Sequence, residues 1–313
     1  MRVLVLTSAD RALDNRSMWY ALREHCAVDL HFLDKQQQRN LRRILATFDL
    51  AVYDRIVLDL MFKHIHKQSR VLRTLPGLIV YEEDAYLDIM PGSRWLGAFL
   101  KLYRRVPGLK VISTGHRVTR HLCDSGINAS FIPKGFDQAR LNDRQYPARD
   151  IELGFIGRLG SEAYSARRLM LESLAQRESL QIMRTSSAEE YVDTLNRIRC
   201  FVSADVGLGE YMAKNFEAMA CGCLLIAKRQ GLGEEDALGF VEGGNVLLYD
   251  DLDSLCAQVA WIREHPEQAT EIARQGREHV LARNTYAYLA AQVAKVIAEP
   301  FLPSPSLSWW RWW

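Results

Sequence analysis

Short apolar runs alternate with amphipathic stretches along most of this chain. The runs at residues 3–6, 28–32 and 78–81 have the length and composition of strands. The stretches at residues 15–24 and 94–105 have apolar positions at helical spacing instead. Strands that are separated by helices favour a parallel sheet covered by helices on both faces.

The alternation extends into the second half of the chain, so a complete set of elements can be predicted. Predicted strands lie at residues 3–6, 28–32, 57–61, 78–81, 110–113, 130–132, 153–156, 180–183, 200–203, 224–227 and 246–249. Predicted helices lie at residues 15–24, 35–47, 94–105, 117–124, 163–177, 188–197 and 212–220, with two or three more over 252–298.

A polar stretch interrupts the pattern between residues 133 and 150, after which strands and helices start again. A chain of 313 residues accommodates two domains of about 150 residues each. We therefore predict an α/β fold with two Rossmann-like, doubly wound parallel-sheet domains that face a cleft. The predicted domains are residues 1–148 and 149–298, and residues 299–313 form a tail rich in Pro, Ser and Trp.

The charges are distributed unevenly between the two halves. The whole chain has a net charge of +2, whereas residues 1–150 contain 24 Lys and Arg against 16 Asp and Glu, a net charge of +8. A basic half suits an anionic partner such as lipid headgroups, a phosphorylated glycan or nucleic acid, although a merely solvated surface has the same composition. Nucleic acid is disfavoured because the arginines are dispersed and not interleaved with aromatic residues.

Localisation is indicated by the apolar runs and the cysteines. The sequence lacks the roughly 18 consecutive apolar residues that a membrane span requires, and its six cysteines are scattered as expected of free, buried thiols. Both features predict a cytoplasmic protein.

The tail ends in Trp309-Trp-Arg-Trp-Trp313, which suits the membrane–water interface. The tail is either a membrane-binding segment at the inner face of the membrane or a segment packed on its own protein or on a dimer partner.

The clearest chemistry lies between residues 203 and 227. This segment has the order strand, glycine-bearing loop, short helix, glycine stop and strand. The N-terminus of such a helix offers free N–H groups and a positive dipole end to phosphate. Lys214 can add a full charge against a diphosphate, and Glu217 can accept hydrogen bonds from ribose hydroxyls. Outside this context the two residues would be an ordinary exposed pair at i, i+3.

Phe216-Glu-Ala-Met-Ala-Cys-Gly222, followed by an apolar strand, resembles the signature of the "group 1" glycosyltransferases, a retaining family with the GT-B fold. The form Lys214-Asn-Phe-Glu217 is closest to the branch with spore-maturation-like glycosyltransferases. In the family a sugar-facing glutamate lies eight positions before the ribose-binding one. Here Gly209 has that position and Glu210 follows it, so the resemblance makes Glu210 the candidate catalytic residue of the second domain. It also implies that a nucleotide-sugar donor contacts Lys214, Asn215 and Glu217.

Two further segments carry the resemblance. Phe155-Ile-Gly-Arg-Leu159 looks like the strand and turn that open the donor domain, which implies that Gly157 and Arg158 contact the diphosphate. The lysine that usually follows in the family is missing here, and the resemblance makes Arg167 or Arg168 the candidate for its place. Ile132-Pro-Lys-Gly-Phe-Asp137 resembles the hinge that closes the first domain, and the last helix of this fold crosses back to that domain.

Candidate acceptor-side residues follow two strands of the first domain. Asp84 ends the acidic run after the strand at 78–81, and His116 follows the strand at 110–113. Open α/β sheets bind ligands at the carboxyl ends of their strands. We therefore predict that Asp84 or Glu83, together with His116, orients an acceptor hydroxyl or accepts its proton, or else that these residues have structural roles. His64 and His66 lie in a basic segment and are predicted to be surface residues.

Cofactor and metal motifs are missing from the sequence. No glycine-rich dinucleotide motif follows the first strand, and no phosphate-loop motif occurs. Asp251-Leu-Asp253 matches the Asp-x-Asp motif of metal-dependent glycosyltransferases. It precedes a predicted helix, however, and aspartates in that position cap the free N–H groups of the helix. The sequence therefore predicts no metal site and no cofactor other than the donor substrate.

These observations predict an NDP-sugar-dependent glycosyltransferase. The resemblance implies retention of configuration without a metal, and the basic first half indicates a cell-surface glycan or lipid-linked acceptor such as a lipopolysaccharide core. The alternative is a non-catalytic GT-B-like protein that binds nucleotide, glycan or membrane.

Overall fold

The computed structural model describes residues 1–146, 148–160 and 165–301. The chain forms two compact units, one from Met1–Pro133 together with the chain from Leu289 onward and one from Lys134–Tyr288. The units thus divide earlier in the chain than the sequence-based boundary between residues 148 and 149. The polar stretch after Pro133 belongs to the second unit because Phe136 pairs with Thr285 there and the Arg149 guanidinium donates to the carbonyl of Cys221 at 2.7 Å.

The first unit contains a six-stranded sheet that is parallel throughout, in the order β2-β1-β3-β4-β5-β6. The strand order reverses direction between β1 and β3, and such a switch point is where doubly wound sheets bind ligands. The strands are β1 Arg2–Ser8, β2 Ala27–Leu33, β3 Arg55–Asp59, β4 Leu78–Glu82, β5 Lys110–Ser113 and β6 Asn128–Phe131.

Short helices connect these strands. They are α1 Ala12–Ala21, α2 Lys35–Arg39, α3 Leu41–Leu45, α4 Phe62–Ile65, α5 Ser69–Leu72, α6 Ala98–Tyr103 and α7 His116–Asp124. The predicted single helix at 35–47 is two helices that break at Asn40, whose backbone is not helical. The predicted helix at 94–105 begins only at Ala98, because Gly97 has a left-handed φ of 69° and the Asp88 carboxylate accepts a hydrogen bond from the N–H of Phe99 at 2.7 Å.

The second unit contains a five-stranded parallel sheet in the order β11-β10-β9-β7-β8. Its strand order reverses between β7 and β9. The strands are β7 Ile151–Ile156, β8 Leu180–Met183, β9 Ile198–Ser203, β10 Leu224–Lys228 and β11 Leu247–Tyr249, and the remaining helices of the chain are α8 Ser165–Arg177, α9 Ala188–Arg197, α10 Ala213–Ala220, α11 Glu234–Leu238, α12 Leu252–Glu264, α13 Pro266–Arg283 and α14 Tyr286–Ala298.

The predicted α/β class with two parallel sheets is confirmed. Strands β5 and β8 and helix α9 have the predicted bounds. The predicted strand at 57–61 lies two residues too late, since β3 ends at Asp59. The apolar residues Leu60 and Met61 lie between β3 and α4, so the sequence pattern does not show that the strand ends at Asp59.

Burial explains why these runs form central strands. All of β4 and β5 is buried, as is β1 from its second residue on, and a parallel strand covered on both faces needs a continuous apolar run.

Three cysteines, Cys200, Cys221 and Cys223, are free and buried as predicted, but Cys123 is exposed. No helix in the described part of the chain is long and apolar enough to cross a membrane. The Trp-rich segment predicted as a tail lies, from residue 302, outside the described residues.

The end of helix α14 is held in the first unit by two basic side chains. The Lys110 ammonium, only 1% exposed, pairs with the Glu299 carboxylate at 2.6 Å and donates to the carbonyl of Val296 at 3.2 Å. The Arg55 guanidinium donates to the carbonyl of Ile297 at 3.0 Å. Cations next to the free carbonyls at a helix C-terminus are favourable, so these contacts fix the returning chain to this unit.

Candidate functional site

The candidate donor site is built at the switch point of the second sheet. Strand β7 ends at Ile156 and leads into the turn at Gly157, while β9 ends at Ser203 and leads through a loop to α10. The loop bends at Gly207 and Gly209, which have φ values of 77° and 73°, a conformation that only glycine adopts without strain. The carboxyl ends of adjacent parallel strands β7 and β9 thus meet at the start of α10.

Asp205 organises this loop. Its carboxylate accepts hydrogen bonds from the Nδ2 of Asn215 at 2.7 Å and the N–H of Met212 at 3.1 Å, and it pairs with the Arg167 guanidinium at 2.8 Å. Asp205 is 5% exposed and Asn215 1% exposed. The predicted donor ligand Asn215 therefore has its amide group directed to the loop. Sequence reasoning missed Asp205, which follows β9 by two residues, because its partners Arg167 and Asn215 lie far from it in the chain.

Lys214 lies across the turn that follows β7. Its Nζ donates to the carbonyl of Ile156 at 2.8 Å. A Cβ atom added to Gly157 would overlap this Nζ, so the glycine makes room for the ammonium group. Burial and, next, the charge of Arg167 lower the pKa of Lys214 to about 8. The structure thus brings together Lys214 and Gly157, two predicted donor residues.

A second buried cation lies beside this ammonium group. The Lys214 Nζ and the Arg167 guanidinium are 5.4 Å and 5.9 Å from the centre of the Phe155 ring, and Arg167 is 7% exposed. Arg158 is exposed, and its charge also contributes to the lowered pKa of Lys214. Of the two arginines proposed to replace the missing lysine, Arg167 is thus part of the site, whereas Arg168 is exposed. Since Arg167 pairs with Asp205, Lys214 and Arg158 are the two cations at this turn that suit a ligand with two negative charges or more.

Glu217 lies one turn further along α10. Its carboxylate accepts a hydrogen bond from the Tyr191 hydroxyl. Burial, and next the charge of Glu217, raises the pKa of Tyr191 well above its ordinary value, so the hydroxyl stays a donor. Tyr191 comes from α9 and was not predicted. It orients the carboxylate that the sequence assigns to the ribose.

Glu210 lies in the loop before α10, but its carboxylate is buried in an ion pair with Lys134. The side chains of both residues are nearly inaccessible, with 1% of Glu210 and 7% of Lys134 exposed. Lys134 comes from the segment predicted as a hinge, and the Nδ2 of Asn284 donates to its carbonyl at 3.0 Å. The candidate catalytic carboxylate is therefore held rigidly by a lysine for which the sequence gave no specific role.

The acceptor-side candidates of the first unit lie at the carboxyl edge of its sheet. Glu82 of β4 pairs with Ser113 of β5, and Asp84 and His116 follow these two strands. The N–H of Asp84 donates to the Glu82 carboxylate at 3.0 Å, and His116 packs edge-on against Phe131 with 5.6 Å between ring centres. Both Asp84 and His116 are half-buried. The parallel register therefore places them after neighbouring strands, as predicted.

Asp59 marks the switch point of the first sheet and was missed by sequence reasoning. Its fully buried carboxylate accepts hydrogen bonds from the Thr7 hydroxyl at 2.7 Å and the Trp19 indole at 2.8 Å. These contacts join the ends of β1 and β3 to α1. An acid at the end of a strand gives a weak sequence signal, because the partner residues lie far away in the chain.

The metal and histidine predictions have different outcomes. Asp251 caps α12 by accepting a hydrogen bond from the N–H of Ser254 at 2.8 Å, and Asp253 pairs with Arg177 at 2.5 Å. Capping is confirmed for Asp251. Among the described residues, no group of three or more His, Cys, Asp or Glu side chains could hold a metal ion. The prediction that His64 is a surface residue is wrong: it is 7% exposed, because the start of α4 packs into the core.

Two parallel sheets with switch-point sites define the class of Rossmann-like α/β proteins. Within that class, residues 160–295, which include most of the second unit, match the model of a family described as Glycosyl transferase-like. A comparison with curated protein sequences gives no match.

Solved structures resemble the chain over nearly its whole length. It is similar to sucrose-phosphate synthase from Thermosynechococcus elongatus, with 14% identity, a TM-score of 0.67 and coverage of 95% of this chain and 98% of that one. Anabaena HepE in complex with UDP-glucose has 14% identity and a TM-score of 0.68, covering 95% and 99%. A T4 phage BGT mutant in complex with UDP-glucose has 10% identity and a TM-score of 0.57, covering 96% and 100%. The chain has the GT-B fold of these proteins, as predicted, and the family match supports a glycosyltransferase.

Proposed function

We propose that this protein transfers a sugar from a nucleotide-diphosphate sugar to a cell-surface glycan or a lipid-linked acceptor, such as a lipopolysaccharide core. The observation that carries the proposal is the meeting of Lys214, Gly157 and the start of α10 at the switch point of the second sheet. Ligands of open α/β sheets bind at such switch points. The donor is a UDP-sugar in the first instance, since structures similar to this chain hold UDP-glucose.

The diphosphate of the donor lies against the turn after β7. Gly157 has no side chain to block the diphosphate from this turn, and Lys214 and Arg158 supply positive charge. Nearby Arg167 is partly neutralised by Asp205, so its role is to hold the loop that presents the N–H groups of α10. When the bond between the anomeric carbon and the diphosphate oxygen breaks, the electron pair stays on that oxygen. Lys214, Arg158 and the helix dipole stabilise the developing charge, so the reaction proceeds without a metal ion.

The nucleoside lies toward Glu217. Its carboxylate, oriented by the Tyr191 hydroxyl, accepts hydrogen bonds from the ribose hydroxyls. The sugar lies toward the loop that contains Glu210, and the anomeric configuration is retained. The acceptor contacts the first unit, where Asp84 or His116 orients the attacking hydroxyl or accepts its proton.

The class of acceptor is proposed from the net charge of the first half of the chain and from the proposed location of the protein at the membrane. A net charge of +8 over residues 1–150 suits a phosphorylated or lipid-linked acceptor. We place the protein in the cytoplasm, peripheral to the inner face of the membrane, where such acceptors are assembled. The Trp-rich tail is proposed as a second membrane-binding segment there.

The first experiment is a thermal-shift screen against UDP, GDP, ADP and CMP and their common sugar conjugates. A ligand that binds only the folded state raises its stability by about 2.7 kcal/mol at a hundredfold excess over the Kd. We expect stabilisation by one nucleotide family and its loss in Lys214→Ala and Glu217→Ala. Normal nucleotide binding by both variants would show that the site is placed wrongly.

The second candidate function is nucleotide or glycan binding without turnover. The ion pair between Glu210 and Lys134 favours it, because this carboxylate, the one predicted to face the sugar, already has a buried partner. Release of nucleoside diphosphate from a sugar conjugate in the presence of an acceptor extract would exclude this candidate. Binding without release, over a panel of phosphorylated glycans and lipid-linked acceptors, would support it.

A further inference from the structure

A basic cavity lies beside α6 in the first unit. It has a volume of about 350 Å³ and is lined by His66, Lys67, Ala98, Lys101, Leu102 and Arg105. Three of the lining residues are lysine or arginine, and none is an acid. A cavity with this lining attracts an anion.

The cations come from two segments of the first unit. Lys101 lies on α6 with Ala98 and Leu102, and Arg105 lies in the turn after that helix, which ends at Tyr103. Lys67 adds a third cation from the chain just after α4. Across the described ranges of the chain, none of the three has a carboxylate within 4.0 Å. The cavity therefore has a positive charge that the protein itself leaves uncompensated.

His66 forms an ordered wall of this cavity. Its ring stacks on Phe62 with 5.7 Å between ring centres and meets the edge of Trp95 at 5.0 Å. The Nδ1 atom of His66 is buried and has no hydrogen-bond partner among the described residues. Because this Nδ1 is inaccessible to water, His66 borders the cavity through its packing on Phe62 and Trp95 and not through a polar contact.

We propose that this cavity binds a phosphate group, with Lys67, Lys101 and Arg105 as its charged contacts. Arginine and lysine side chains form short, charge-assisted hydrogen bonds with phosphate oxygens. This site is independent of the proposed donor site, which belongs to the second unit.

The phosphate comes from a small soluble compound or from the headgroup of an anionic lipid. The neighbouring surface favours the headgroup. Leu96 is 60% exposed, and the Arg94 guanidinium lies over the Trp95 ring at 5.0 Å. Apolar and aromatic side chains beside cations are typical of surfaces that lie in a membrane interface.

The test compares two variants that lose the same charge. Lys101→Gln combined with Arg105→Gln removes two cations from the cavity wall. Arg42→Gln combined with Arg43→Gln removes two exposed cations from α3 in the same unit. The conservative pair Lys101→Arg with Arg105→Lys keeps the charge and checks whether the cavity variant merely misfolds. UDP-induced stabilisation, measured on all variants, reports the donor site separately.

Two probes distinguish the sources of the phosphate. One is inorganic phosphate, titrated by calorimetry at constant ionic strength. The other is flotation with vesicles of phosphatidylcholine, with or without phosphatidylglycerol. We expect the cavity variant to bind at least one probe about tenfold more weakly than wild type, the loss typical of a missing charge-assisted contact. The α3 variant and the conservative pair should bind as wild type does.

Each outcome decides the proposal. Loss of phosphate binding in the cavity variant alone supports a site for soluble phosphate, and loss of vesicle binding alone supports a headgroup site. An equal loss in the cavity and α3 variants would overturn the proposal, because the effect would then be one of net charge. Failure of wild type to bind either probe would overturn it as well.

Discussion

The ammonium group of Lys134 and the carboxylate of Glu210 form a buried ion pair in the second unit. The pair joins two segments that the sequence singled out for different reasons, the predicted hinge and the loop before α10. Removing one member of a buried ion pair is costly, because the other charge then stays buried without this counter-ion. The position of Glu210, and any role it has near the sugar, therefore depends on Lys134.

The first prediction concerns this pair. Replacing Lys134→Met should lower the free energy of unfolding by about 3–5 kcal/mol, because the buried Glu210 charge loses its ion-pair partner Lys134. Adding Glu210→Gln to this variant should recover part of the loss, as in a double-mutant cycle for coupled residues. Denaturation with urea measures both effects. Additive losses in the double variant would contradict a direct coupling.

The second prediction concerns the room that Gly157 leaves for Lys214. In Gly157→Ala the new methyl group would overlap the Nζ of Lys214 and push it away from the carbonyl of Ile156. We expect nucleotide affinity to fall about tenfold, as when a charge-assisted contact is lost.

Gly160→Ala is the matched control, because a Cβ atom there has no neighbour within 4 Å among the described residues. Isothermal titration with the nucleotide found in the screen measures both variants. Equal affinities in the two variants would mean that the ammonium group at this turn does not contact the ligand.

The third prediction is a pH dependence of binding. Burial lowers the pKa of Lys214 to about 8, and a bound diphosphate favours its charged form. Affinity should thus be greatest below pH 8 and fall as the pH rises through 8, by up to about tenfold per pH unit. Lys214→Arg should remove this dependence because the guanidinium remains charged. A flat profile for wild type between pH 7 and 9.5 would argue against the contact.

Without ligand, the same group acts on stability with the opposite sign. Between pH 8 and the ordinary lysine value of 10.5, the unfolded chain binds a proton that the folded chain does not. The free energy of unfolding contributed by Lys214 therefore rises with pH over this window. Urea denaturation of wild type and Lys214→Met at several pH values isolates this contribution.

The fourth prediction concerns the support of Glu217. Tyr191→Phe removes the hydroxyl that donates to the carboxylate, which should weaken nucleotide binding about threefold to tenfold, the usual worth of one hydrogen bond. Glu217→Ala should weaken it more. Tyr288→Phe is a suitable control, since Tyr288 is 42% exposed in the same unit. A Tyr191 variant that binds nucleotide as tightly as this control would show that the hydroxyl does not act through Glu217.

The sequence by itself determined the elements and their class. Buried parallel strands require continuous apolar runs, and helices require apolar positions at their own spacing, so both leave local signals. For this reason β5, β8 and α9 were predicted with their bounds. The helix that carries Lys214 and Glu217 was recognisable too, because a glycine-bearing loop, a helix and a glycine stop lie within one short segment.

Only the tertiary structure decided which distant residues meet. Asp205 with Arg167, Lys134 with Glu210 and Tyr191 with Glu217 are separated by many residues, and no periodicity connects them. The polar stretch after Pro133 looked like a linker, yet it is part of the second unit. Local patterns record what each segment must bury, whereas the partner of a buried charge is fixed only when the sheet brings the ends of its strands together.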